Sequence, residues 1–326
     1  MNSFGTEFRI SIFGESHSYG VGITIDGCPP GLALNENDFL PDIARRRPGA
    51  KGTTPRVEKD IPKIISGWFN GHTTGAPLTI LFLNENTKSA DYDHLLKQPR
   101  PGHADWVANE KYDGFHDHRG GGHFSGRMTL ALVAAGVVAK KLVNNITISA
   151  DLIEAGGNKN IEEAIELAIS EGDSIGGIVE CKASPMPVGL GEPFFDSLES
   201  MIAHLVFAIP ATKAIEFGSG FATAGMRGSE HNDNILSVTG ETETNHSGGI
   251  NGGISNGNEL IFRVAVKPTS STAKPQQTIN LESGKVEELT IGGRHDICIA
   301  LRVPVVLEAV TAIALADLSL QKAARK

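Results

Sequence analysis

Short apolar runs mark five strands along the chain: FRISIF (8–13), VGITID (21–26), PLTILFL (77–83), IGGIVEC (175–181) and ELIFRVAV (259–266). Each is rich in isoleucine or valine and bounded by glycine, proline or polar residues. A period near 3.6 predicts helices over 36–46, 126–143, 160–171, 197–208 and 304–322. In the third, Ile161, Ala164, Ile165 and Ala168 fall on one face. Arg127 opens the second and Lys140 and Lys141 stand near its end, where cations complement the helix dipole. Residues 84–125 and 218–257 show little periodicity and are crowded with Gly, Asn, His and Asp. Loops of that length are functional or disordered, and their composition is not low-complexity, which predicts function.

Two stretches share an order. Residues 20–46 and 175–206 each run strand, proline-containing turn, Gly-Leu and an acidic helix start, which suggests an internal duplication. No Ser/Gly linker or charge run separates the halves, so residues 1–326 are expected to form one domain with long loops.

Composition narrows the function. The chain of 326 residues is 40% hydrophobic and 21% charged, ordinary for a soluble globular protein. Cys28, Cys181 and Cys298 are too scattered for a disulfide framework and fit a reducing compartment. The N-terminus lacks a signal-peptide layout, and the apolar run at 130–139 is too short for a bilayer, so a cytoplasmic location without a membrane is expected. A net charge of −9 argues against nucleic-acid binding. Yet seven of thirteen arginines (Arg45, Arg46, Arg47, Arg56, Arg100, Arg119, Arg127) lie between 45 and 127, a concentration that suits a pocket for a small anion.

The chemistry-bearing segments are short. GESHS (14–18) follows a predicted strand, and Ser16 and His17 could pass a proton; an N-cap serine beside an incidental histidine is the plainer reading. RRRPG (45–49) ends a helix, where arginines either complement the dipole or grip an oxyanion. RPGHAD (100–105) puts Arg100, His103 and Asp105 together, and an aspartate can fix a histidine tautomer. HDHRGGGHFSGR (116–127) offers His116, His118 and His123 as metal ligands, but lacks a zinc motif and carries two arginines. Its three glycines and the following helix better suit an anion cradle. KPTSST (267–272) brings a cation and hydroxyls, and GGRHD (292–296) groups Arg294, His295 and Asp296.

Together GESHS, RRRPG, RPGHAD, RGGG, NHSGGINGGIS (245–255), KPTSS and GRHD resemble, in order, the signature segments of the chorismate synthase family. The resemblance implies an α+β fold, a single-domain sandwich of antiparallel sheets and helices, assembled as a homotetramer. It implies 1,4-anti elimination of phosphate from 5-enolpyruvylshikimate 3-phosphate, giving chorismate. It further implies dependence on reduced FMN, with NADPH as a candidate reductant or a separate flavin reductase as its source. By the same resemblance, His17 protonates the departing phosphate, His103 protonates reduced FMN, Asp296 stands near flavin N5, and Ser16 and Ser125 relay protons. Arg45, Arg46, Arg100, Arg127 and Arg294 would gather around the substrate. FMN would meet Arg46, His123, Phe124, Ser125, Pro210, Ala211, Gly252, Lys267, Pro268, Thr269, Ser270, Ser271 and Arg294.

The sequence departs from the commonest family pattern in places. His123 and Phe124 stand where many members have Arg and Ser, Pro210 where Asn is frequent, and RHDIC replaces RHDPC. The segment AKGTTPR after RRRPG is short and lacks an arginine associated with NADPH, for which Lys51 is a substitute. Two other readings are a histidine metallohydrolase using residues 116–123 and a non-catalytic flavin or phosphate sensor.

Overall fold

Two antiparallel sheets enclose a pair of apolar helices. A computed structural model describes residues 1–54, 58–86, 89–292 and 295–325, and no side-chain statement is made for 89–91 and 93. In chain order the first half holds strands β1 (Ser3–Phe4), β2 (Arg9–Gly14), β3 (Gly20–Asp26), β4 (Lys63–Ser66), β5 (Trp68–Phe69), β6 (His72–Thr73) and β7 (Leu78–Leu83). The second holds β8 (Thr147–Ala155), β9 (Gly177–Ser184), β10 (Thr212–Phe217), β11 (Ile250–Asn251), β12 (Ile254–Ser255), β13 (Leu260–Val266), β14 (Gln276–Asn280) and β15 (Lys285–Leu289). The helices are α1 (Leu40–Arg46), α2 (Asp105–Lys111), α3 (Thr129–Leu142), α4 (Ile161–Glu171), α5 (Leu198–Val206), α6 (Gly228–His231) and α7 (Val303–Ala324).

The first sheet has the order β1-β2-β3-β7-β4 and the second β10-β13-β9-β8. Leaving out the two-residue β1, the strands of each sheet, taken in chain order, lie first-second-fourth-third. In both sheets a helix, α1 or α5, follows the second strand and a long one, α3 or α7, follows the fourth. The five strands and five helices expected from the apolar pattern all occur, with ends shifted by a few residues. The two long loops are less bare than expected. Residues 84–125 contain α2 and 3₁₀ turns at Ser89–Leu96 and Arg119–Phe124, and residues 218–257 contain α6 and the β11–β12 hairpin.

The helices α3 and α7 fill the space between the sheets. Every residue from Thr129 to Ala139 in α3, and nearly every one from Val303 to Leu318 in α7, is buried. They approach closely because small residues meet: a Cβ on Gly136 would lie 2.3 Å from that of Ala309. Ile299–Ala324 is long and apolar enough to cross a membrane, but 78% of that window is buried inside the protein, as in a core helix.

Two buried acids in α7 tie the outer elements to this core. Glu308 accepts two hydrogen bonds from Arg45 (2.5 and 2.7 Å), one from Lys140 (2.9 Å) and one from the backbone N–H of Ala150 (3.2 Å). Asp317 accepts from the backbone N–H groups of Thr6, Glu7 and Phe8 at 2.7–3.1 Å. Removing either carboxylate would strand buried donors, a cost well above that of a surface ion pair. The second tie also fixes the chain just after Met1–Phe4, which lines the larger of the cavities described next. Cys28, Cys181 and Cys298 are free and buried, and burial pushes the Cys181 thiol up to about 12.

Candidate active site

Three glycines organise the site. Gly120, Gly121 and Gly122 all adopt left-handed backbone (φ 60°, 80° and 53°), so HDHRGGG turns where an L side chain would be strained. Space excludes a side chain as well. A Cβ on Gly120 would lie 2.5 Å from Cδ2 and Nε2 of His17 and 2.8 Å from Ser16 Oγ, and one on Gly121 would lie 3.6 Å from His103 Nε2. The two histidines therefore flank one turn. Ser16 N–H donates to Gly122 O at 3.1 Å, which fastens the GESHS loop, at the end of β2, to the same turn. His17 is buried, and Tyr92 meets its ring edge-on with centroids 5.3 Å apart. Ser125 then caps the 3₁₀ turn that leads into α3, its Oγ accepting from Arg127 N–H at 3.3 Å.

His103 is oriented by its own motif. Its Nδ1 lies 2.5 Å from Asp105 Oδ1 and 3.0 Å from Arg100 Nη2. Arginine offers only donors, so the carboxylate is the group that takes the Nδ1 proton, leaving Nε2 toward the glycine turn. Burial alone would push the Asp105 carboxyl up, but hydrogen bonds from Arg100 (2.7 and 2.8 Å) and His103 outweigh it and hold it well below the usual carboxylate range.

Two cavities meet at this turn, sharing Arg100, Gly120, Ser125, Pro210, Thr269 and His295 among their walls. The larger, about 690 Å³, has apolar walls that include Ile10, Ile12 and Leu132. The rest of its lining brings together His103, His123, Phe124, Ser125, Pro210, Ala211 and Lys267 to Ser271. Its size is that of a cofactor pocket. Lys267 carries no carboxylate partner among the described residues; its Nζ donates to Gly102 O and lies 3.1 Å from Ser270 Oγ. Burial, and the charge of Lys213, push that ammonium below its ordinary value, as expected of a cation awaiting an anion. Ala211 also sits at φ 72°, a left-handed conformation uncommon for alanine and typical of ligand-binding segments.

The smaller cavity, about 190 Å³, is lined by Arg46, Arg100, Arg127 and Arg302, with Asp60 and Asp296 among them. Arg46 reaches Thr129 Oγ1 (2.9 Å) and the carbonyls of Gly126 and Arg127, and its Nη1 stands 3.7 Å from Asp60. Arg127 pairs with Asp60 at 2.8 Å and donates to Asn84 and to Leu83 O. Burial first, then the neighbouring charge of Arg302, pushes the Arg46 guanidinium down to about 9. It remains a cation at neutral pH, but a crowded one. Asp296 accepts from Thr54 N–H at 2.9 Å and from Arg302 at 3.2 Å.

Several expected residues lie elsewhere. Arg45, adjacent to Arg46 but about 100° around the helix, turns to Glu308 and Asp42 and lines neither cavity. Gly252 forms the β11–β12 turn and likewise lines neither. Lys51 pairs with Glu166 at an exposed position. Arg119 pairs with Asp117, and Arg47 donates to Lys59 O. Arg56 and Arg294 lie outside the described residues. The three candidate metal ligands diverge. His123 contacts Gly14 O (2.8 Å) and Asn2 Oδ1 (3.2 Å), whereas His116 and His118 border a separate crevice with Trp106 and Leu281. No group of acids, histidines or cysteines fit to hold a metal occurs among the described residues. Tyr92, Thr54, Asp60 and Arg302 join the site without having been singled out in the sequence.

A cation-lined cleft that opens beside His103 into a cofactor-sized cavity, with His17 packed against Gly120 and lining neither, defines an enzyme for a small anionic substrate. Comparison with known proteins makes this specific. A family model described as chorismate synthase matches residues 8–320. A chorismate synthase from Chitinophaga pinensis is 64% identical over 98% of this chain and 97% of its own length. One from Dehalococcoides mccartyi is 46% identical over 98% and 97%. A crystal structure of chorismate synthase superposes with a TM-score of 0.74 at 26% identity, covering 98% of this chain and 93% of the other. The chain belongs to the chorismate synthase family, and with it to the carbon–oxygen lyases.

Proposed function

We propose that the protein eliminates phosphate from 5-enolpyruvylshikimate 3-phosphate in a 1,4-anti sense, giving chorismate, with reduced FMN in the larger cavity and the substrate in the smaller. The observation that carries this reading is the glycine turn flanked by His17 and His103 where the two cavities meet. The larger cavity suits FMN in its chemistry: apolar walls for a ring system, and an uncompensated lysine with Ser270 and Ser271 for a phosphate. Reduced FMN, when bound, would supply electron density as the C3–O bond to phosphate breaks and would provide an acceptor for the non-acidic hydrogen lost from C6.

The chain's own residues then do positioning and proton work. Arg46, Arg127 and Arg302 stabilise an anion in the smaller cavity, with the first two of these side chains buried. His17, buried beside Gly120, gives a proton to the departing phosphate, and Ser16 and Ser125 relay. His103 carries its mobile proton on Nε2, because Asp105 holds Nδ1. Asp296, held by Thr54 and Arg302 in the wall of the smaller cavity, is placed to accept a proton there. The repeated strand order of the two sheets supports reading the single domain as an internal duplication. Exposed Phe194, Phe195 and Phe221 suit burial between subunits of a homotetramer. The three buried thiols suit a cytoplasmic setting.

The test is anaerobic phosphate release from 5-enolpyruvylshikimate 3-phosphate with reduced FMN. Release that requires the flavin supports the proposal; none, or equal release without flavin, refutes it. A parallel arm with oxidised FMN and NADPH separates a self-reducing enzyme from one served by a flavin reductase.

A further inference from the structure

Four described arginines line the smaller cavity, and three are already spoken for. Every guanidinium nitrogen of Arg100 and Arg127 donates to a protein acceptor, and Arg46 donates through Nε and Nη2 to Thr129 and two carbonyls while its Nη1 stands 3.7 Å from Asp60, an ion pair rather than a hydrogen bond. Arg302 differs. Its Nε donates to Arg46 O at 3.0 Å and its Nη1 to Asp296 at 3.2 Å, but Nη2 has no partner among the described residues. The side chain is 19% exposed and lines the cavity, so Nη2 has no protein acceptor among the described residues and is open to a ligand.

Its place on the chain is unusual as well. Arg302 is the N-cap of α7, where the helix dipole disfavours a cation, and the first turn of that helix contains no acid. Asp296 compensates one charge, but Arg46 and Arg127 add two more nearby. Such a cation is placed for an incoming anion.

Building on the proposed function, we infer that Arg302 is a substrate-binding residue. Through Nη2 it grips an oxyanion of the ring-bearing substrate, phosphate or carboxylate, while Nη1 keeps Asp296 in place. One guanidinium thereby joins the substrate to Asp296 in the wall of the same cavity. Arg302 stands outside the set of arginines expected from the family motifs.

The experiment measures calorimetric binding of shikimate 3-phosphate, shikimate and inorganic phosphate to FMN-loaded protein. The proteins are wild type, Arg302→Gln, Arg302→Lys, Asp296→Asn and the Arg302→Gln/Asp296→Asn double variant. Losing a charge-assisted hydrogen bond should weaken shikimate 3-phosphate binding about 10- to 100-fold in Arg302→Gln. FMN affinity should stay within about two-fold. The loss should recur when Arg302→Gln is added to Asp296→Asn. A loss confined to the phosphate-bearing ligands identifies phosphate as the partner, and one shared by shikimate identifies carboxylate. Unchanged binding in Arg302→Gln, or a loss that vanishes in the Asp296→Asn background, overturns the inference by reducing Arg302 to a prop for Asp296. Should Arg302→Gln not fold, Arg302→Lys keeps the charge without the fork, and unchanged binding there overturns it equally. A wild-type protein that binds FMN but none of the three ligands refutes the proposed function instead.

Discussion

Gly120→Ala tests the site at its hinge. The substitution adds one methyl group, yet two separate costs arise. At φ 60° an alanine gives up about 1 kcal/mol relative to glycine. The new Cβ would also stand 2.5 Å from the His17 ring and 2.8 Å from Ser16 Oγ, against a comfortable separation of about 3.5–4.0 Å. The ring must therefore retreat by roughly 1 Å, or the glycine turn must, and the Ser16-to-Gly122 hydrogen bond couples the two. A misplacement of that size costs about 100-fold in rate when the displaced group transfers a proton. The expected outcome is a kcat lowered about 100-fold in the anaerobic phosphate-release assay, with FMN affinity nearly unchanged and a melting temperature lowered by only about 2 °C. The split is the point of the experiment. Wild-type kcat in a folded Gly120→Ala protein would refute the contact between His17 chemistry and the turn. A protein that merely unfolds would show that the turn serves stability rather than positioning.

Three further outcomes follow from the same geometry. Gly136→Ala, which drives a methyl group into the Ala309 backbone where α3 and α7 touch, should lower stability by about 1–3 kcal/mol in urea unfolding while leaving the kcat of the folded fraction intact. Asp105→Asn should slow turnover about 10- to 100-fold by releasing His103 Nδ1, and it should also change the acid limb of stability. The folded-state pKa of Asp105 is depressed, so its stabilising contribution is complete above the ordinary carboxylate range and fades as pH falls through the folded value. The melting-temperature gap between wild type and Asp105→Asn should then be constant from about pH 5 to 8 and narrow below about pH 4; a gap independent of pH would contradict this. Lys267→Met should weaken FMN about 10-fold or more in fluorescence titration while riboflavin, which lacks the phosphate, is affected far less; equal losses for both would remove the phosphate role.

The parts of the fold legible in the sequence are those whose apolar residues face the core on both sides or in a continuous run. β3, β7, β9 and β13 are central strands and read clearly. β8 and β10, the two edges of the second sheet, carry half-exposed polar residues such as Asp151, Glu154 and Lys213, and their apolar pattern is too thin to stand out. The hairpin β14–β15, written QQTIN and KVEEL, is thinner still. In the site, His103, Ser125, Arg46, Arg100 and Arg127, named from the motifs and the family resemblance they carry, line the cavities, and His17 lies against the glycine turn. Arg45 lines neither cavity for a physical reason: it lies about 100° around the helix from Arg46, and a buried Glu308, over 260 positions away, binds it. No local pattern announces such a partner. Thr54 escaped notice similarly, since its contribution to Asp296 is a backbone N–H that any residue could supply.

Why the arginines sit on this particular scaffold follows from what surrounds them. Between two sheets, α3 and α7 are almost wholly buried, and the acids inside α7, Glu308 and Asp317, are each held by several donors, so the N-terminal ends are where a cation can reach an open cleft. Arg127 and Arg302 lie at those two ends and face the same cleft. At a helix N-terminus a cation is disfavoured, and burial makes it more so. The protein sets three acids, Glu58, Asp60 and Asp296, against the four arginines of the described lining, yet Arg46 is still pushed to about 9. Full neutralisation by further acids would relieve the strain and also repel an anionic substrate. Leaving the cleft short of negative charge instead makes the substrate's own oxyanions the missing counter-ions, so that binding energy comes from repulsion already built into the folded chain.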